Sequence, residues 1–199
     1  KKRVSHTVSW DLKTGEMVFR LAFPFKRKDT METLKIYKVS DAYIRFLHSR
    51  DHRVQFNKDA RRPYVGVVFQ FGGFKYFAPL ESPKPNHDKM KSGKHFLKLK
   101  DGDYGLIGFN NMIPVHTDAL VEYDINKEPD EKYKRLLQRQ IAMCNRMKAD
   151  VLNHAQMTYF DVVGGTNKFL IGISCDFKKL ESACKSYKKD YKPSFKRYT

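Results

Sequence analysis

Between residues 33 and 123 the apolar side chains come in short runs, several of them alternating with polar ones, which is the pattern of strands rather than of helices. Residues 33–39, TLKIYKV, alternate like a half-buried strand, because successive side chains leave a strand on opposite faces. Ser40 is a good N-cap for a helix over residues 41–48 that gathers Tyr43, Phe46 and Leu47 on one side. A charged loop over residues 49–62 ends at Pro63. Residues 64–71, YVGVVFQF, are rich in β-branched and aromatic side chains, and Gly72-Gly73 turns them into residues 74–77, a β-hairpin. Strands over 95–99 and 105–109 flank the turn Asp101-Gly102-Asp103, and residues 111–115 and 119–123 extend the sheet.

After Pro129 the period changes. Leu136, Leu137, Gln140, Ile141, Cys144, Met147 and Val151 form one face of a single long helix, whose other face carries Lys132, Lys134, Arg135, Arg139 and Arg146. Gly164-Gly165 leads to an apolar run over 169–173 that reads as a late strand. Asp176 then caps a last helix in which Phe177, Leu180, Cys184 and Tyr187 recur at helical spacing. A mostly antiparallel β-sheet with segregated helices is the expected architecture, an α+β domain.

Residues 1–30 read as an N-terminal extension. A hairpin of strands over 8–12 and 17–21 around Lys13-Thr14-Gly15-Glu16 is predicted there, closed by Pro24 and the cluster Lys26-Arg27-Lys28. Met31 is the expected natural start, and residues 31–199 form the main domain with a basic C-terminal tail. No apolar run reaches the roughly 18 residues of a membrane helix, and no signal peptide is recognisable. The three cysteines lack C-x-x-C spacing, which argues against a disulfide framework or a zinc knuckle and for a reducing, cytoplasmic setting.

Charge adds what periodicity leaves out. Thirty-nine Lys and Arg against 22 Asp and Glu leave +17, an excess that repels itself in the folded state unless an anion neutralises it. Nucleic acid is the expected partner, because each neutralised phosphate releases condensed counterions. A lysine-rich stretch with little acid runs over residues 75–100, where a strand breaks at Pro79 and Glu81-Ser82-Pro83-Lys84 begins a rigid turn. His87 and His95 flank that turn, either as an acid–base pair or as RNA-contacting surface residues. Arg61, Arg62, Lys89, Lys91, Lys94 and the helix cations Lys134, Arg135 and Arg139 read as phosphate contacts, with a solvated surface as the ordinary fate of each one singly. His87-Asp88 has no second cluster to complete a metal site, and no cofactor is expected.

Several of these stretches resemble one family. Residues 36–44 (IYKVSDAYI), 54–59 (VQFNKD) with 62–67 (RPYVGV), and the hairpin end 77–84 (FAPLESPK) are similar to the ToxN/AbiQ toxins of type III toxin–antitoxin and phage abortive-infection systems. Residues 111–114 (NMIP), 133–137 (YKRLL) and 169–177 (FLIGISCDF) follow in matching order, so the resemblance runs from Met31 to about Lys189. It implies a Kid/MazF-like fold, a compact, twisted, mostly antiparallel β-sheet with packed helices, and a metal-independent endoribonuclease. It also implies inhibition by a repetitive RNA antitoxin, cut by the toxin from its own precursor. The antitoxin's pseudoknots then alternate with toxin subunits in a closed, often triangular ring, and target mRNA is cut in adenine-rich sequence.

Carried over by resemblance, the working residues are Tyr43, Pro63 with its neighbour Tyr64, Ser82 and Lys84. Lys84 is expected at the scissile phosphate, Ser82 on a phosphate oxygen or the 2′-OH, Tyr43 orienting the phosphate or stacking a base, and Pro63 turning a main-chain group to the substrate. Two positions depart from the family pattern. Glu81 stands where relatives commonly have a hydroxyl, and a carboxylate there repels phosphate unless it acts as a base or pairs with a lysine. Tyr64 stands where some relatives have lysine. The reading from another class is a basic RNA-binding module without catalysis.

Overall fold

The computed structural model describes residues 7–10, 17–20, 33–57, 62–87, 89–91 and 93–187. The chain divides into two units, Lys1–Glu32 and Thr33–Thr199, each taken by itself here. In the first, β1 (Thr7–Trp10) and β2 (Met17–Arg20) pair antiparallel with Trp10 opposite Met17. The expected loop 13–16, the cluster 26–28, the start at Met31 and the basic tail beyond Tyr187 lie outside the described residues.

The second unit opens with β3 (Lys35–Val39) and α1 (Asp41–Arg50). Ser40 caps α1, its side chain accepting from the Tyr43 N–H as its sequence position suggested. The hairpin is β4 (Tyr64–Phe71) and β5 (Phe74–Glu81), turning through Gly72 and Gly73, both at positive φ where glycine alone is unstrained. Four short strands follow: β6 (Phe96–Lys98), β7 (Leu106–Gly108), β8 (Ile113–Pro114) and β9 (Leu120–Glu122). All pairings are antiparallel, the order across the sheet is β6-β7-β5-β4-β3-β9, and β8 pairs with β5 off that path. The architecture is the α+β one that the alternating runs suggested.

The helices depart from expectation in two places. The single long helix is two, α2 (Glu131–Arg146) and α3 (Lys148–Val163), broken at Met147. Asn145 supplies a reason. Its side-chain amide exchanges two hydrogen bonds with the Leu34 backbone, at 2.8 and 3.0 Å, and also takes the Ile141 carbonyl, so the helix end is committed to the start of β3. The periodicity survives the break because Leu137, Gln140, Cys144 and Val151 are all buried on both sides of it.

The run over 169–173 is not a strand but a helical turn and a half, α4 (Lys168–Ile173). Asn167 caps it by accepting from the Leu170 N–H at 3.0 Å, a local bond that only the helical path supplies. α5 (Phe177–Ser186) forms where predicted, with Asp176 as its cap.

The core lies between the sheet and these helices. Tyr76 of β5 packs edge-to-face against Tyr159 of α3 and Phe177 of α5, and the hydroxyls of Tyr76 and Tyr159 both donate to the buried Glu181 carboxylate, at 3.0 and 2.6 Å. Asp51, at the end of α1, accepts from Arg53 Nε at 3.0 Å and from the Asp176 N–H at 2.6 Å, while Arg53 donates to the Ile171 carbonyl at 3.1 Å. One acid thereby ties α1 to both α4 and α5. No helix among the described residues is long and apolar enough to cross a membrane.

All three cysteines are free and buried, and burial pushes the Cys144 and Cys175 thiols up to about 12 and raises that of Cys184 as well. The folded chain at pH 8 should therefore leave an aromatic disulfide reagent unreacted over minutes and release three equivalents only in denaturant. Rapid labelling of a folded sample would contradict this packing.

Candidate active site at the end of the central hairpin

β5 ends at Glu81, and contacts from several elements fix that end. The Glu81 backbone pairs with Leu106 on β7. Gln140, buried on α2, donates from Nε2 to the carbonyls of Glu81 at 3.2 Å and Tyr104 at 2.7 Å. Gly105, at φ +83°, lies so close that a Cβ there would stand 1.8 Å from the Glu81 oxygen. Across the hairpin the Leu80 N–H donates to the Pro63 carbonyl at 2.9 Å, so Pro63 opens β4 directly opposite the last residues of β5.

Beyond this anchor Ser82, Pro83 and Lys84 are exposed, and the His87 N–H closes the turn on the Lys84 carbonyl at 3.0 Å. Lys84 Nζ sits 2.6 Å from Glu81 Oε2, its side chain 56% exposed and that of Glu81 24%, so a phosphate can reach the ammonium from solvent. The unexpected carboxylate thus has a lysine to pair with. Both residues line a cavity of about 290 Å³, into which His87, His95, Asn110 and Asn111 bring polar groups over an apolar lining that includes Met90, Phe96 and Ile173.

His87 is 3% exposed, and its Nδ1 has no hydrogen-bond partner among the described residues. Burial holds its imidazole below the ordinary histidine value; the Glu81 carboxylate pulls it up, and Lys84 and Lys98 press it down again. Burial alone lowers His95, whose ring lies against Phe96 and the exposed Phe169. No three His, Cys, Asp or Glu side chains among the described residues gather closely enough to hold a metal ion.

Glu81, Lys84, His87 and His95 therefore meet in one place, with Ser82 beside them and Pro63 behind. The two tyrosines do not join them. Tyr43 faces the sheet from α1, fully buried, and donates its hydroxyl to the Pro114 carbonyl at 2.7 Å with Tyr187 packed on its ring. Tyr64 has its backbone beside Pro79, but its side chain is buried and donates to Asn57 Oδ1 at 3.2 Å. Burial raises both phenols well above the ordinary tyrosine value. Each is a core residue with a satisfied hydroxyl.

The cations are spread more widely than the sequence suggested. Lys89 and Lys91 are exposed just past the turn, and Arg62, half-buried, donates to Gln55 Oε1. Lys94 pairs with Asp161 at 3.2 Å and Lys134 with Glu131 at 2.7 Å. Arg139 lies over the Tyr104 ring at 5.8 Å, one residue from the Gln140 anchor, and Arg135 is exposed. Arg61 lies outside the described residues.

Sequence reasoning missed the two asparagines. Asn110 is locked by donating from Nδ2 to the Ile173 carbonyl at 3.1 Å, while its own carbonyl accepts from the Cys175 N–H at 2.9 Å. The available signal was a pair of polar amides just after an apolar strand, and only the β5–β7 pairing brings that pair beside Lys84.

Comparison with known proteins assigns the chain and its fold to a family. The family described as toxin ToxN of type III toxin–antitoxin systems matches residues 35–185. The chain is 37% identical over 166 residues to an endoribonuclease ToxN of Bacillus thuringiensis subsp. kurstaki, covering 77% of this chain and 84% of that protein. It is 27% identical over 169 residues to the endoribonuclease AbiQ of Lactococcus lactis subsp. lactis, covering 79% and 91% respectively. Among solved structures, a type III toxin selectively inhibited by a non-coding RNA pseudoknot superposes with TM-score 0.71 at 35% identity, over 79% of this chain and 99% of that one. AbiQ, a lactococcal anti-phage endoribonuclease, gives TM-score 0.68 at 27% identity over 77% and 97%. The chain belongs to the ToxN family of type III toxin–antitoxin toxins.

Two outcomes test the site's construction. Gln140→Leu leaves the Glu81 and Tyr104 carbonyls without their buried donor and should cost about 1–3 kcal/mol in denaturant melts, with a Tm loss of roughly 2–4 °C for each of those kcal/mol. An unchanged melt would remove Gln140 as the anchor. The lowered His87 value means that the unfolded chain binds the proton more readily, so this residue's contribution is whole above about 6.5 and is lost as pH falls through the folded value. Wild type should therefore lose more stability than His87→Leu between pH 7 and pH 5; parallel curves would show an imidazole exposed to water.

Proposed function

We propose that this chain is the endoribonuclease toxin of a type III toxin–antitoxin system and that it cuts RNA at the Glu81–Lys84 turn. The observation that carries the reading is an exposed ammonium, paired to a carboxylate and fixed by a buried anchor, on the wall of a cavity in a chain of the ToxN family. RNA supplies its own nucleophile. As the 2′-oxygen attacks the adjacent phosphorus, the bond from phosphorus to the 5′-oxygen breaks, leaving a 2′,3′-cyclic phosphate and a 5′-OH.

The protein has to align that attack, move two protons and hold the charge that builds on phosphorus. Glu81 accepts the 2′-OH proton. Lys84 stabilises the charged oxygens and supplies a proton to the leaving 5′-oxygen. Ser82 donates to a phosphate oxygen from the exposed turn, and Pro63 keeps the facing strand in register. The reaction asks nothing of a metal. Lys89 and Lys91 extend the cationic track along the strand of RNA.

The relatives' RNA inhibitor supports a corresponding partner here: a repeat-derived RNA pseudoknot that this toxin cuts from its precursor and that blocks the same turn in a closed RNA–protein ring. Target mRNA and antitoxin are both met in the cytoplasm, where three buried reduced thiols are stable.

Purified protein should cleave RNA in EDTA and leave cyclic-phosphate ends. Lys84→Ala should lower kcat about 10²–10³-fold, the usual worth of one preorganised donor, and Ser82→Ala should lower it less. Full cleavage and full toxicity in both variants would place the chemistry elsewhere. Co-expression of a repeat RNA encoded just upstream should restore growth, and rescue by a protein alone would refute the type III assignment.

A further inference from the structure

Resting on the nuclease reading, we infer that the cavity beside Lys84 is a binding site for one unstacked nucleobase of the cut RNA, read by His87, Asn110 and Asn111. The volume, about 290 Å³, stands just below the usual range of ligand sites, roughly 300–1,000 Å³, and suits a single base rather than a stacked pair or a helix. Its walls mix polar and apolar groups, with Met90, Phe96 and Ile173 providing surface for a flat ring.

The polar groups converge. A point at the Cβ position of Gly108 lies 3.7 Å from Asn110 Oδ1 and 4.0 Å from the Asn111 amide nitrogen, with no side chain of its own to fill the space. The bond from Asn110 Nδ2 to the Ile173 carbonyl leaves Oδ1 as the group nearest that point, so an acceptor and a donor both lie within 4.0 Å of it, the two kinds of group that read a base edge.

His87 supplies the third group and the strongest indication. A buried polar atom without a partner costs the protein free energy, and nearly all such atoms in native proteins are satisfied. Nδ1 of His87, a residue of this cavity's wall, is buried without a partner among the described residues. A turn of the ring toward the cavity lets a base edge satisfy it. Because the same wall carries the Glu81–Lys84 pair, a nucleotide whose phosphate meets Lys84 has its base, or that of its neighbour, over the cavity mouth. Selection of the cut site then comes from this cavity and cleavage from the turn.

The experiment uses the full chain and one short RNA that it cuts, remade with an abasic nucleotide at each position flanking the scissile bond. In wild type, one position should lose about tenfold or more in kcat/KM, the worth of a single stacked or hydrogen-bonded base. In His87→Leu the intact RNA should fall to nearly the abasic rate, and removing the base should then change little. The melt at pH 7.5 should stay level or rise, because an apolar group replaces an unsatisfied one. His87→Asn, which returns a polar atom near Nδ1, should recover part of the base dependence. Gly108→Ala is a second route: its methyl group meets only ordinary contacts, so the fold stays intact while the base site fills. A flat abasic scan in wild type, or an equal abasic cost in wild type and both filled variants, would overturn the inference while leaving the nuclease reading in place. A wild-type chain that cuts no RNA would overturn both.

Discussion

The carbonyl oxygen of Glu81 is the point on which the site depends. Just beyond it Ser82, Pro83 and Lys84 are solvent-exposed, with Lys89 and Lys91 exposed further on, and like charges give such a segment no reason to stay in one place. The Glu81–Lys84 pair does not supply that order, since exposed ion pairs contribute about 0–1 kcal/mol. A buried amide bonded to two carbonyls contributes more when its loss is counted, about 1–3 kcal/mol, and Gln140 makes that pair of bonds. Gly105 then removes the one side chain that would hold β7 away from the same carbonyl. The exposed turn is ordered from behind, by backbone, and its charged face is left to meet a ligand.

Much of this was legible from periodicity. The hairpin with its double glycine, the Ser40 cap of α1 and the Asp176 cap of α5 are local decisions, made by residues within four positions of each other. The failures were of two kinds. A short apolar run such as 169–173 fits a strand or a turn of helix equally, and a single cap at Asn167 tips it. The break at Met147 comes from Asn145 reaching Leu34, more than a hundred positions away in the chain, and no window of sequence contains both.

The site divides along the same line. Ser82, Lys84 and the flanking histidines were legible as neighbours because they crowd into one segment, and the family resemblance singled out their turn as the candidate. Tyr43 misled because a helix pattern shows that a tyrosine shares the apolar side without showing whether its hydroxyl ends in a core or in a groove; here it ends on Pro114. Asn110 and Asn111 stayed hidden because their role exists only once β7 lies against β5.

The described sheet stops on both sides at strands of three residues, β6 and β9. Such short margins present a visiting strand with few open N–H and C=O groups, which is how natural sheets avoid growing into one another. Copies of this chain therefore have little open backbone by which to zip together.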